Sequence, residues 1–160
     1  MVEGPDDPAA SPMAQDIMRK IGVMTGGNRL LMRSDFRAAD FTSYLGNIIL
    51  VDAVYGEEGV LVDGTVRLMG SCLDAFYGKL TGSSILTHRS EAGTRLLRSM
   101  QTAVDTRDMV ILFAEQTRDD QSFYKVNSLV VPIADEGGNI VQFFAHLQPY
   151  LRSGEPYSGI

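Results

Sequence analysis

The chain of 160 residues has one cysteine, no tryptophan and only two histidines. A single thiol, Cys72, excludes an internal disulfide and a thiolate-rich metal cage, and it is ordinary for a reducing compartment. Basic residues are the minority, 14 Lys and Arg against 20 Asp and Glu, so the formal charge is −6 and the pI is near 4.8. The bases are scattered, whereas a nucleic-acid partner calls for a concentrated basic face, so DNA and RNA are set aside. No apolar run approaches the roughly 20 residues of a membrane span. The opening MVEGPDDPAASP has neither the positive start nor the apolar centre of a secretory signal. The expectation is a cytoplasmic protein without a membrane partner. Also missing are the GxSxG elbow, HExxH, a P-loop and a GxGxxG turn after a strand, and the acidic pairs Asp119-Asp120 and Asp135-Glu136 fall in turns where solvation accounts for them. No metal site and no enzyme is expected.

What is present is a β-rich stretch from Met109 to Leu147. MVILFAEQ, FYKVNSLVVPIA and NIVQFFAHL are strand-like runs separated by TRDD and by DEGG, whose glycines suit a hairpin. They read as a three-stranded antiparallel meander. Such a meander needs a cover on its apolar face. Ser90 to Thr106 supplies one as an amphipathic helix, with Leu96, Leu97, Met100, Ala103 and Val104 on one stripe. Ile48 to Tyr55 and Val60 to Met69 supply two further strands, and SCLDAFYG a short helix.

Ser11-Pro12 is a helix start and Gly26-Gly27 a stop, with Met13, Ile17, Ile21 and Met24 at helical spacing between them. This stripe serves its own sheet, a second copy of the chain or another protein, since methionine adapts to irregular partners. The expected organisation is an acidic tail and amphipathic helix over residues 1–30, a domain over 31–150, and a C-terminal tail over 151–160. The fold class is α+β: a five-stranded antiparallel sheet with helices over one face, plus the N-terminal helical extension.

Three segments carry a family resemblance: RSDFRAADFTSYLGNIILVDAV at 33–54, RLMGSCLDAFYGKLTGSSI at 67–85 and LVVPIADEGGNIVQFF at 129–144. Together they resemble a PAS domain, and the chain is most similar to the small PAS-like family common in alphaproteobacteria. The segment VYGEEGVLVDG departs from the shorter join usual between the first two strands of that family. The resemblance implies a cupped PAS-like sheet enclosing a small cavity, and a sensory or regulatory role. Such domains commonly dimerise or dock on histidine kinases. With little chain after Leu147, the implied protein is a stand-alone regulator acting through protein–protein contacts, a homodimer, with a histidine kinase as a partner class. The alternative is a small-molecule sensor whose occupancy controls partner binding, with a small enzyme as the least favoured reading.

The cofactor is left unknown, because neither a haem nor a flavin signature is present. Light-oxygen-voltage photochemistry needs a cysteine in an Asn-Cys-Arg-Phe-Leu-Gln setting, and Cys72 sits in GSCLDAF. His88 and His146 both read as ordinary histidines rather than haem ligands. Strand alternation assigns a ligand pocket to Ile49, Val51, Leu68, Ile111, Phe113, Asn127, Leu129 and Val131 on the sheet, closed by Leu73, Phe76, Leu97, Met100 and Val104 from the helices. Asn127 would then be the one polar group aimed inward. The stripe Met13, Ile17, Ile21 and Met24 is the expected dimer or partner contact.

Overall fold

Ser11 and Pro12 open the first helix for the reasons their chemistry supplies. The computed structural model describes residues 11–27, 30–87, 91–117, 123–151 and 153–157. Ser11 Oγ accepts from the Ala14 N–H at 3.1 Å, and Pro12 takes a first-turn position where a missing N–H costs nothing. Helix α1 spans Pro12–Thr25 and stops at Gly26, whose φ of 69° lies in the left-handed region that glycine enters without a Cβ penalty.

A short strand β1 (Leu31–Met32) and a 3₁₀ segment (Ala38–Asn47) lead into β2 (Ile48–Tyr55) and β3 (Leu61–Met69). Helices α2 (Ser71–Tyr77) and α3 (Glu91–Thr106) follow, and then β4 (Val110–Thr117), β5 (Phe123–Ala134) and β6 (Ile140–Tyr150). The sheet runs β1-β5-β6-β2-β3, with β4 also pairing β5. Five strands are antiparallel, as expected. The sixth, β1, pairs parallel with Ile133 and Ala134 of β5; two residues are too few to show an alternation in sequence.

Both faces of the sheet are covered, which corrects the expectation of helices over one. On the α3 face, Ile49, Val51, Val66, Val130, Phe143 and Ala145 pack with Leu73, Phe76, Met100 and Ala103 of α2 and α3. On the other, Ile48, Leu129, Val131, Ile133 and Phe144 pack under Ala14, Ile17, Met18 and Ile21 of α1, with Phe41 from the 3₁₀ segment. Phe36, Phe41 and Phe144 form an aromatic cluster there, with centroids 4.8 to 5.8 Å apart.

Residues 153–157 turn back on the sheet. Tyr157 N–H donates to the Pro149 carbonyl at 2.8 Å, and Leu151 N–H to that of Glu155. The Tyr157 ring meets Phe76 edge-on at 4.9 Å. The end of the chain therefore contributes to the α3-face core. Among the described residues, no helix is long and apolar enough to cross a membrane.

Candidate functional site

The residues expected to line one pocket divide between the two faces of the sheet. Ile49, Val51, Leu73, Phe76 and Met100 are buried together on the α3 face, with Leu97 and Val104 partly buried against them. Leu129 and Val131 belong to the α1 face, with Leu68 and Ile111 partly buried beside them. Phe113 is 51% exposed, its ring tilted against that of Tyr150 at 6.3 Å. Two physical causes explain the split. β5 is buried on both sides, so its two residue sets are both apolar and alternation does not identify the inner one. In β3 a register shift separates the pair Val51–Val66 from Leu50–Leu68, and this bulge turns Leu68 onto the face opposite Val66.

The α3 face is closely filled. A Cβ on Gly64 would stand 2.4 Å from Val51 Cγ1 and 3.1 Å from Met100 Cε, so α3 sits directly on β2 and β3. On α3 the buried polar residue is Ser99, and Asp74 Oδ1 on α2 and Gln101 Oε1 on α3 are buried oxygens without a hydrogen-bond partner among the described residues. Cys72, on α2, has its thiol held in structural contacts: Sγ donates to the Tyr157 carbonyl at 3.4 Å and lies 3.5 Å from Asn47 Nδ2. Burial pushes the Cys72 pKa up, away from a reactive thiolate.

The sheet's own buried polar side chains lie largely on the α1 face. Asn127 is 1% exposed, and its Oδ1 accepts from the Ser11 backbone N–H at 3.0 Å. It points beneath the start of α1 rather than into the α3 side. One row along, His146 stands between Ile48 and Leu129, fully buried and perpendicular to the Tyr44 ring at 6.4 Å. Neither ring nitrogen has a hydrogen-bond partner among the described residues. Burial holds this imidazole neutral, with a pKa pushed down to about 4. Farther along the face, Gln142 Nε2 donates to Asp52 Oδ1 at 2.8 Å, and Arg67 pairs with Asp52 at 2.7 Å. Gln148, also buried, donates to the Pro149 and Tyr157 carbonyls.

The stripe expected on α1 lies on this face in part. Ile17 and Ile21 are buried against the chain's own sheet, Met24 is partly buried there, and Met13 is 42% exposed. Ala14 and Met18 complete the buried side, so the contact stripe is rotated from Met13 toward Ala14. At the end of α1 a small cleft of about 120 Å³ opens between Gly22, Thr25, Arg107, Asp108 and Pro132. His88 lies outside the described residues. His146 was visible in sequence as a histidine in a strand, but only the two-sided cover makes it a buried group without partners.

No protein-family model and no curated protein matches the chain. Solved structures do. The blue-light photoreceptor Aureochrome1 light-oxygen-voltage domain in its dark state superposes with a TM-score of 0.52 at 16% identity, over 78% of this chain and 91% of that one. A light-oxygen-voltage domain studied with a flavin analogue gives 0.51 at 11%, over 72% and 84%. A PAS domain from Colwellia psychrerythraea gives 0.43 at 14%, over 69% and 95%. The chain has the PAS fold that its sequence resemblance implied. On its α3 face Met100 and Val51 close on Gly64, and the Cys72 thiol is engaged with Tyr157 and Asn47.

Proposed function

We propose that this chain is a PAS-type regulatory module that acts through protein–protein contacts, and that the α1 face is where the contact is controlled. The observation that carries this reading is a sheet face covered by α1 and the 3₁₀ segment that also holds a buried histidine whose ring nitrogens have no hydrogen-bond partner among the described residues. The helix is held by non-directional apolar contacts together with the Ser11–Asn127 hydrogen bond. A partner's amphipathic helix can satisfy the same face. So can α1 of a second copy, which is a route to a homodimer by exchange of identical elements. A histidine kinase is the partner class suggested by the sequence resemblance.

The test is Ile17→Asp combined with Ile21→Asp in the full chain, which places carboxylates where α1 meets the sheet and so expels the helix. Light scattering over a concentration series should then show stronger self-association than wild type, because Leu129, Val131, Ile133 and Phe144 lose their cover. A variant that keeps the wild-type association and stability rejects the reading.

A second reading, a small-molecule sensor, is favoured by His146 itself: a neutral imidazole offers one donor and one acceptor to a polar ligand. Native mass measurement on freshly purified protein separates the two. A mass above that of the polypeptide that disappears in His146→Leu supports the sensor, and a bare polypeptide mass leaves the contact reading in place.

A further inference from the structure

Beyond the α1 face, the hairpin joining β2 to β3 presents a separate surface. Val54, Tyr55, Val60 and Val62 are 38%, 38%, 53% and 47% exposed, a concentration of apolar surface at one end of the sheet. The hairpin is braced rather than loose, since Tyr55 Oη donates to the Ile140 carbonyl at 2.6 Å. β3 is the sheet's edge. Loop residues 82–85 pair with it at Gly64 and Val66, and among the described residues this pairing does not extend to Val62. Edge strands in natural proteins are ordinarily blunted by charge or covered. This one carries valines.

Its charge indicates what covers it. From Ile48 to Val66 there is no Lys, Arg or His, while Asp52, Glu57, Glu58 and Asp63 are all acidic. Asp52 is neutralised by Arg67 and Asp63 accepts from Ser84 Oγ. Glu57 and Glu58 are exposed and have no ion pair among the described residues. The chain's own first ten residues contain Glu3, Asp6 and Asp7 and no base, and a second copy carries the same −6, so neither complements the tip.

We infer that the free end of β3 docks an extended, basic segment of another protein, which adds a strand beside Leu61–Asp63. Its apolar side chains lie on Val60 and Val62, and its Lys or Arg side chains meet Glu57 and Glu58.

The experiment titrates the full-length protein with a short synthetic peptide alternating Val with Lys and Arg, followed by amide chemical shifts and fluorescence anisotropy. Shifts confined to residues 57–64 are expected, with affinity falling as salt is raised. Glu57→Lys with Glu58→Lys should weaken binding about tenfold or more. These positions are exposed, and an unchanged melting temperature verifies that the fold is intact. Equal binding by the charge-reversed variant or by a peptide with Glu in place of Lys and Arg overturns the proposal, as do shifts that map elsewhere. Self-association that is abolished by Val62→Lys would identify a second copy as the occupant and overturn it as well. None of these readouts depends on α1 leaving its face.

Discussion

The two faces of this sheet are buried alike but are filled differently. Under α3 the interior is made of Val51, Met100, Val130 and Phe143. Under α1 it contains Phe144, Leu129 and Ile133, together with the buried polar side chains of Asn127, Gln142, His146 and Gln148. An apolar interior loses little by being closed permanently. A face holding a buried imidazole without partners carries the cost of unsatisfied polar groups. The difference is one of degree: on α2 and α3 the single oxygens Asp74 Oδ1 and Gln101 Oε1 are also buried without a partner among the described residues, whereas on the α1 face both nitrogens of a whole imidazole are.

The largest effect should come from testing whether both faces are true cores. Phe143→Ala and Phe144→Ala remove neighbouring, fully buried rings from opposite faces, and each should cost about 3–5 kcal/mol in urea unfolding. If Phe144→Ala costs under about 1 kcal/mol while Phe143→Ala costs the full amount, the α1 face is not a structural core and the comparison breaks.

Next in size is the pH dependence carried by His146. Its ordinary value is 6.5 and its folded value about 4, so between them the unfolded chain binds a proton that the folded one does not. Stability from this residue is complete above pH 6.5 and declines as pH falls toward 4, by about 3 kcal/mol. In His146→Leu that increment should vanish, leaving a shallower loss between pH 7 and pH 4.5. Parallel curves for the two proteins would show that the histidine is not buried in solution.

Smaller again is the anchor of α1. Asn127→Leu strands the Ser11 N–H and should cost about 1–3 kcal/mol. Amide exchange at Ile17 and Met18 is expected to accelerate more than at Met100 or Ala103, because only α1 loses its tether. Uniform acceleration would mean that the two covers open together. The smallest effect should follow Arg67→Met at the rim. Its partner Asp52 is shared with Gln142 and Arg67 is largely exposed, so a change within about 1 kcal/mol is expected in urea titrations.

Much of this architecture was legible in the residues. Ser11-Pro12 and Gly26 bound α1, the DEGG segment makes the β5–β6 hairpin with Gly138 at a φ of 81°, and the stripe of α3 faces the sheet. The candidate pocket was less legible. Seven of its thirteen residues come together on the α3 face; the others were misassigned because Val126 and Val130 are as apolar as Leu129 and Val131, and because a bulge reverses Leu68. Nor did Tyr157 show in its short polar neighbourhood that it packs on Phe76.

Local chemistry by itself determined where helices and strands begin, which turns join them, and that the chain folds as an α+β sheet, since caps, glycines and periodicity act over a few residues. Tertiary structure alone decided that α1 and the 3₁₀ segment cover the second face, that Asn127 faces Ser11, and that His146 is buried with no hydrogen-bond partner among the described residues. Those outcomes depend on which distant surfaces meet, and burial on both sides of a strand erases the alternation from which its orientation could be read.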